Sequence, residues 1–520
     1  MHGFEGGSPT LAPAASGPWY REMNRYHWFV LAVAAMGWLF DTMDQQLFVL
    51  ARPAAMEDLI PAPKDADAKT LEALRQQRGV AGGLATSIFI AGWATGGLIF
   101  GMLGDRIGRV KTMVMTVLMY SLCTGLSCFS QTTWDFAFYR FLTGLGVGGE
   151  FAVGVALVAE VMPDAARTYA LALLQALSGI GNVTAAVIFL GLGLAQDYSW
   201  LPHVNERSMF GSTWRIMFMI GAIPAFLAFL IMRRLKEPER WERASHSGVV
   251  AKQLGSYREL FRVPQLRSKA LFGLLLGCAG VIGLWSVGFY TFDLVRFVQR
   301  KPVTERVYTE QLQAAKVAGN RTREEQLAAL LKRQTDPSTK LPPDAESVQT
   351  ELSSVVSGRL AQWSAYASMA MNLGAALGMF GFGALSQRIG RKPTFALAFV
   401  AAYVSTFAVF WLLQDFWQIW VMVPVMGFCQ LSLFAGYAIY FPELFPTRLR
   451  STGTSFCYNV GRFVAAIGPS ALGLLRRDVF GKYPEPIDMR YAGITMCTVF
   501  LIGLVALPFL PETKGKPLPE

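Results

Sequence analysis

The chain has 520 residues, of which 53% are hydrophobic and only 16% charged. Such a mixture excludes a single soluble core, because apolar runs long enough to cross a bilayer recur along its whole length. The net charge of +11 would suit a nucleic-acid partner, but the basic residues sit in short segments between apolar runs, and that placement argues against one.

In chain order the apolar runs are 27–50, 80–103, 112–130, 134–161, 168–192, 214–232, 270–292, 360–384, 393–413, 416–441, 451–475 and 491–510. A bilayer offers no hydrogen-bond partner to exposed backbone, so each run predicts a helix. The expected fold class is an all-α membrane protein with twelve transmembrane helices in two pseudo-symmetric six-helix bundles. The expected division is a cytoplasmic N-terminus (1–26), one bundle (27–232), a basic linker (233–269), a second bundle (270–510) and a tail (511–520). The second bundle carries an external insertion at 293–359, in which Thr304 to Leu331 reads as helix. The linker run, with Arg233, Arg234, Lys236, Arg240 and Arg243, reads as a solvated segment that pins orientation. Short segments on its side of the membrane hold about 23 Lys and Arg against about 10 in the short loops opposite. That bias and an even number of spans predict both termini in the cytoplasm, and the expected location is the cell (inner) membrane. Residues 1–26 show no cleavable signal pattern, and Arg21 and Arg25 flank an uncleaved first span. The six cysteines fall within predicted spans and read as small buried hydrophobes. No cofactor or metal is implied, and a monomer is the expected state.

Two stretches recur half a chain apart. Gly101-Met-Leu103-Gly-Asp105-Arg106-Ile-Gly108-Arg109 is echoed by Gly383-Ala-Leu385-Ser-Gln387-Arg388-Ile-Gly390-Arg391. Glu160-x-x-Pro163-x-x-x-Arg167 returns as Glu443-x-x-Pro446-x-x-x-Arg450. Duplicated halves of hydrophobic helices are how secondary transporters build a central site with two doors. The repeated charges (Asp105, Arg106, Arg109, Glu160, Arg167, Arg388, Arg391, Glu443, Arg450) fall where helices emerge, so a gating latch is expected there. Asp105 is placed to cap a helix N-terminus. Its counterpart is Gln387, so the second latch should be weaker.

A charge at mid-membrane costs on the order of 3 kcal/mol or more and demands a partner or a task. The first span holds Asp41 and Asp44, three apart and on one helix face. Asp44 and Arg140 of the fourth span both lie about 9 Å from the outer end, which predicts an ion pair that protonation can switch. A purely structural bridge is the competing reading. Glu150 and Arg462 fall near the bilayer centre, one in each half. Arg462 shares a face with Tyr458 and Asn459, a cluster suited to a carboxylate; an internal bridge to Glu150 is equally compatible. Uncharged stripes add Gln175, Ser178 and Asn182; Ser368 and Asn372; and Gln430, Phe434 and Tyr437. Trp285 and Phe289 supply an apolar wall. Together these groups are expected to converge on one wet chamber.

The loop signature around Gly101–Arg109 resembles that of the major facilitator superfamily, over residues 25–516. Arg140-x-x-x-Gly144, Glu160-x-x-Pro163-x-x-x-Arg167 and Pro511-Glu512-Thr513-Lys514-Gly515 resemble its sugar-porter branch. That resemblance implies proton coupling through Asp44 and Arg140 and a sugar contact at Gln175. The paired glutamines of sugar-porter span 7 are absent, and Ala438 stands where a Trp is expected. Asp41-x-x-Asp44, Gly149-Glu150 and Asn459-x-Gly461-Arg462 instead resemble bacterial metabolite–proton symporters, including aromatic-acid and sialate carriers. The resemblance implies a non-enzymatic carrier of a small organic acid or sugar acid, driven by protons. A neutral-sugar porter or facilitator, an effluxer, and a non-transporting membrane sensor remain as alternatives.

Overall fold

The computed structural model describes residues 18–63, 68–197, 212–247, 253–288, 290–336, 338–465, 474–484 and 486–520, and these are helical apart from turns and loops. The first half comprises α1 (Arg25–Leu59), α2 (Ala68–Ile107), α3 (Arg109–Ser127), α4 (Thr133–Val161), α5 (Asp164–Asp197), α6 (Thr213–Ile220) and α7 (Ala225–Arg234). The connecting segment holds α8 (Glu239–His246) and α9 (Tyr257–Arg262). The second half comprises α10 (Pro264–Gly283), α11 (Tyr290–Val317), α12 (Arg321–Thr335), α13 (Ala345–Ile389) and α14 (Arg391–Leu412). It ends with α15 (Phe416–Leu444), α16 (Arg450–Ala465), α17 (Ile487–Cys497) and α18 (Val499–Ala506).

Nine helices among the described residues are long and apolar enough to cross a membrane. The other three predicted spans fall short for local reasons. The first, α1, carries Asp41 and Asp44. The sixth is broken at Gly221–Pro224 into α6 and α7, where Pro224 offers no N–H to continue the ladder. The eleventh is polar along α16, and its remainder at 466–473 lies outside the described residues.

Small residues set the packing. In the first bundle Gly92 and Gly96 of α2 face the α4 backbone at Phe141 and Leu145, while Gly144 and Gly148 of α4 face that of α2 at Phe89 and Trp93. The second bundle repeats the arrangement, with Gly374 and Gly378 of α13 against Pro424 and Phe428, and Gly427 of α15 against Met371. Close backbone approach of this kind replaces the hydrophobic drive that lipid removes.

The insertion is helical over Thr304–Leu331 except for a turn at 318–320, and it extends further than that stretch. It is built largely from α11 and α13, which run on from their spans, with α12 between them. The chain turns at Gly319 (φ 69°), and the Asn320 side chain caps α12 by accepting from Arg323 N at 3.1 Å. Val303, Val307, Leu327, Leu330, Val348 and Leu352 give this cap its own apolar core. The basic linker, expected to be solvated, is not so throughout. Trp241 is buried and donates its indole N–H to Asp105 O at 2.7 Å, Tyr257 donates to Leu98 O at 2.9 Å, and Gly255 N donates to Arg448 O at 3.0 Å. The segment therefore lies across the end of both bundles that carries the repeated loops.

A methyl group at Gly148 would strike the Trp93 carbonyl, whereas one at Gly83 meets nothing within 4 Å. Gly148→Ala should cost about 1–3 kcal/mol through overpacking. Thermal unfolding in detergent should show a lowered midpoint for Gly148→Ala and none for Gly83→Ala.

Candidate functional site

A cavity of about 110 Å³ lies between the two bundles. From the first half α1 contributes Trp38, Thr42, Gln45 and Gln46, α2 contributes Trp93, and α5 contributes Gln175, Ser178 and Asn182. From the second half come Trp285, Phe292, Ser368, Asn372, Phe434, Tyr458 and Arg462. Trp285 sits in a π-helical turn over Leu284–Gly288 that separates α10 from α11; single π-turns of this kind recur at functional sites. The two bundles touch across the cavity where Asn182 Nδ2 donates to Asn372 Oδ1 at 3.0 Å.

Arg462 is the cation of this chamber. Its guanidinium lies 4.1 Å from the Trp93 ring and 4.2 Å from the Tyr458 ring. Nη1 donates to Asn459 Oδ1 at 2.8 Å and to Tyr458 O at 3.1 Å. No acid lies within 4 Å of it among the described residues, so the bridge to Glu150 is not formed. Asn459 faces the bundle contact instead of the chamber: its amide donates to Gly148 O at 3.3 Å and Ser455 Oγ at 2.9 Å. It therefore orients Arg462 and does not line the cavity.

Other expected contacts also point elsewhere. Gln430 donates to Thr406 Oγ1 at 2.6 Å, and Tyr437 donates to Leu276 O at 2.9 Å while stacking on Phe441 at 5.1 Å. Neither lines the cavity, although Tyr437 lies directly behind its wall, 5.7 Å from the Phe434 ring and 6.4 Å from the Tyr458 ring. Phe289 lies outside the described residues. The stripe Trp38, Thr42, Gln45, Gln46 went unread; its i, i+4, i+7 spacing was a usable signal, overshadowed by the neighbouring acids.

The acids lie behind the chamber wall. Asp44 Oδ2 stands 3.7 Å from Arg140 Nη1, both fully buried, with Arg140 also held by Ser127 Oγ (2.7 Å), Thr143 Oγ1 (3.0 Å) and the Phe218 ring (4.6 Å). Glu150 accepts from Thr116 Oγ1 at 2.8 Å and packs against Gly37, where a side chain would collide with it. Asp41 is buried among the same helices, and neither of its oxygens accepts a hydrogen bond. The ionic groups thus form two sets, Arg462 on the cavity and Asp44, Arg140 and Glu150 inside the first bundle, with Asp41 between them and within electrostatic reach of Arg462, Glu150 and Asp44. The expected single chamber holding all of them is not the arrangement seen.

Below the cavity Phe151 and Tyr458 stack at 3.8 Å, and beneath them the repeated loops meet. Glu160 Oε1 accepts from Arg109 Nη2 at 2.9 Å and from Arg450 Nη1 at 2.6 Å, one guanidinium from each bundle. Asp105 pairs with Arg109 at 3.0 Å and caps α16 of the opposite bundle. It accepts from Ser451 N (3.1 Å), Thr452 N (2.8 Å) and Thr452 Oγ1 (2.6 Å). The second copy crosses the interface with less charge. Arg391 binds Glu443 of its own bundle at 2.8 Å and reaches only Thr168 Oγ1, at 2.8 Å, in the other. Arg167 turns inward to Ala159 O and pairs with Asp164. Arg106 meets the linker at Leu254 O (3.3 Å), while Arg388 is exposed and joins no ion pair among the described residues.

Two acids that the loop patterns did not single out complete this end. Glu237 accepts from the N–H groups of Arg109, Val110 and Lys111 at the start of α3. Glu512 does the same for Arg391 and Lys392 at the start of α14. Partial burial works against its charge, but these donors and the N–H groups of Lys514 and Thr513 hold the Glu512 carboxyl below its ordinary range.

Comparison with known proteins agrees with this geometry. The chain is 26% identical to a protein of Cupriavidus pinatubonensis described as a probable 4-methylmuconolactone transporter, over 96% of this chain and 93% of that one. It is 25% identical to the cis,cis-muconate transport protein of Acinetobacter baylyi, over 84% and 87% of the two chains. The fold matches the E. coli proton:xylose symporter XylE with a TM-score of 0.60 at 15% identity, covering 95% of this chain and 98% of that one. The family model for the Major Facilitator Superfamily matches residues 21–301 and 342–520, and the chain belongs to that family of membrane transporters, not to an enzyme class.

Proposed function

We propose that this transporter carries a small organic acid with an apolar or aromatic body, together with protons, by alternating access. The observation that carries the reading is Arg462. It is a cation on the cavity wall, flanked by Trp93 and Tyr458, with no acid within 4 Å in the described structure and Asp41 as its more distant counter-charge. Leaving a buried charge uncompensated is costly, and a substrate carboxylate removes that cost. Trp38, Trp285, Phe292 and Phe434 supply flat apolar walls, and Gln175, Asn182 and Asn372 supply amides for remaining polar groups. Substrates named for the two relatives, muconate and a muconolactone, have this chemistry.

The proton is assigned to Asp44, with Asp41 and Glu150 as further acceptors. Protonating Asp44 neutralises its carboxylate, breaks the ion pair and leaves the Arg140 charge to Ser127, Thr143 and the Phe218 ring. The change loosens α1 from α4, and α1 is the helix whose adjacent face lines the cavity. In this reading the repeated loops and both termini face the cytoplasm of a bacterial inner membrane. The latch through Glu160 and Asp105 then closes the inner door, and the protein works as a monomer.

Proteoliposomes under an imposed pH gradient test the proposal, with radiolabelled cis,cis-muconate and benzoate as probes. The wild type should accumulate one or both uphill, and a protonophore should abolish accumulation. Insensitivity to the protonophore would favour a facilitator. Arg462→Gln should lower kcat/KM by roughly 10–100-fold, the worth of charge-assisted hydrogen bonds of about 1.5–3 kcal/mol. Asp44→Asn should lose uphill accumulation but retain counterflow exchange; undiminished accumulation removes Asp44 from the mechanism. Glu160→Gln leaves Arg109 and Arg450 facing each other and should cost the closed state about 3–5 kcal/mol. Spin labels on the loop-end tips of α2 and α16 should then report a longer mean separation.

A further inference from the structure

The cap at the far end of the second bundle contains a second cavity, of about 750 Å³, between α11, α12, α13 and the turn before α17. One face of α11 lines it. Asp293, Arg296, Phe297, Arg300, Lys301 and Thr304 recur there at helical spacing. Four of the cap cations are spent on acids across or along the helices. Arg323 binds Glu351 at 2.7 Å, Arg359 binds Glu310 at 2.6 Å, and Lys316 lies 3.9 Å from Glu324. Arg296 is tethered to Ser364 Oγ at 2.8 Å and lies 3.9 Å from Asp293. Arg300 and Lys301 pair with no acid among the described residues, and both face this cavity. The opposite wall is mixed, with Val356, Leu360 and Pro486 beside Gln334, Gln349 and Ser353. Phe297 also lies 5.5 Å from the Arg476 guanidinium.

Cations without an acid partner on one side, and a wall of amides, a hydroxyl and apolar side chains on the other, match a small organic anion, which would sit at the Arg300–Lys301 end away from Asp293. The same helix joins this groove to the central chamber, since Phe292 lines the chamber and its neighbour Asp293 lines the groove. We propose that the cap groove is a low-affinity capture site for small organic carboxylates, held at Arg300 and Lys301 before entry to the central cavity. The proposal rests on the organic-acid reading above for its link to transport, and on the groove alone for binding. Two basic residues at an exposed mouth concentrate anions locally and raise their encounter rate, an effect that salt screens. Loss of those charges should therefore act on capture and leave the later conformational steps unchanged.

The test uses the full-length protein in nanodiscs of neutral lipid, with 4-fluorobenzoate observed by fluorine NMR and 4-fluorobenzamide as the uncharged control. In Arg462→Gln, which disables the central site, weak 4-fluorobenzoate binding should persist. Adding Arg300→Gln and Lys301→Gln should abolish it, and the amide should not bind to either protein. In the otherwise wild-type protein, Arg300→Gln/Lys301→Gln should raise the KM for benzoate uptake roughly five-fold at low salt. The maximal rate should be unchanged, and the KM difference should shrink at molar salt. No residual binding in Arg462→Gln, or binding that survives loss of both cations, overturns the proposal. So does a groove that takes no 4-fluorobenzoate in neutral lipid but cross-links to phosphatidylglycerol, because the anion is then a lipid headgroup. Binding at the groove in a protein that transports no acid would refute the transport reading and leave the capture site standing. Normal acid transport without groove binding would do the reverse.

Discussion

One carboxylate, that of Glu160, holds the two halves of this molecule together at the end where the repeated loops meet. It lies between Arg109 of the first bundle and Arg450 of the second, all three side chains removed from water. In so dry a setting each charge depends on the other two, since any one left alone would be a buried ion without compensation. Asp105 adds a second crossing by satisfying the first N–H groups of α16, which otherwise have no partner in their own helix. Closure at this end is therefore a discrete arrangement of ions and helix termini, and opening must break several of these bonds together. The position of the central cavity follows from it, because the Phe151–Tyr458 stack forms the floor directly above.

The two copies of the motif show how a duplicated sequence becomes an asymmetric machine. Each copy keeps its Arg on a Glu of the same half, and each Glu-x-x-Pro-x-x-x-Arg arginine reaches back to a carbonyl eight residues earlier, Ala159 for Arg167 and Pro442 for Arg450. The departure begins at Asp105, for which the second half has Gln387. A neutral amide cannot match the charge-assisted cap that Asp105 forms, and Gln387 instead accepts from Arg391 at 3.2 Å. Glu443 is then left to Arg391 and Thr513, and Arg167 pairs locally with Asp164.

Much of this was legible in the chain. Hydropathy and the internal repeat prescribe the helices, and opposite charge at equal depth placed Asp44 beside Arg140, because strand-like alternatives are closed to a lipid-exposed backbone. The helix extensions were not legible, since α11 and α13 leave the bilayer carrying charged residues at helical spacing, and hydropathy registers only the apolar part. The misplacement of Gln430, Tyr437 and Asn459 has a different cause. A polar residue in a span must find a partner, but sequence does not say whether that partner is a ligand, a neighbouring carbonyl or a hydroxyl. Here Leu276 and Gly148 answer for Tyr437 and Asn459, and Thr406 for the Gln430 nitrogen, while the Gln430 oxygen accepts no hydrogen bond. Arg462 passed the same test differently, because two rings and an amide orient it without neutralising it.

That difference identifies which polar groups are free to act on something that arrives and leaves. Asn459 spends its oxygen on Arg462 and its nitrogen on the first bundle, so any movement of the bundles apart at this end also releases the group that aims the cation. Behind the chamber, Glu150 fits against α1 only because residue 37 is glycine. Asp41 lies in that same packed region with no hydrogen bond to fix its charge. The carboxylates of the first bundle and the guanidinium of the second thus meet at a single helix, α1, which presents Trp38, Thr42, Gln45 and Gln46 to the cavity, Asp44 to Arg140, and Asp41 within electrostatic reach of Arg462. In the proposed mechanism, a change of protonation on one side of α1 would be transmitted to the other as a change in how that helix packs. No continuous wire of polar groups would be required, because both sites would bias the position of the same rigid element.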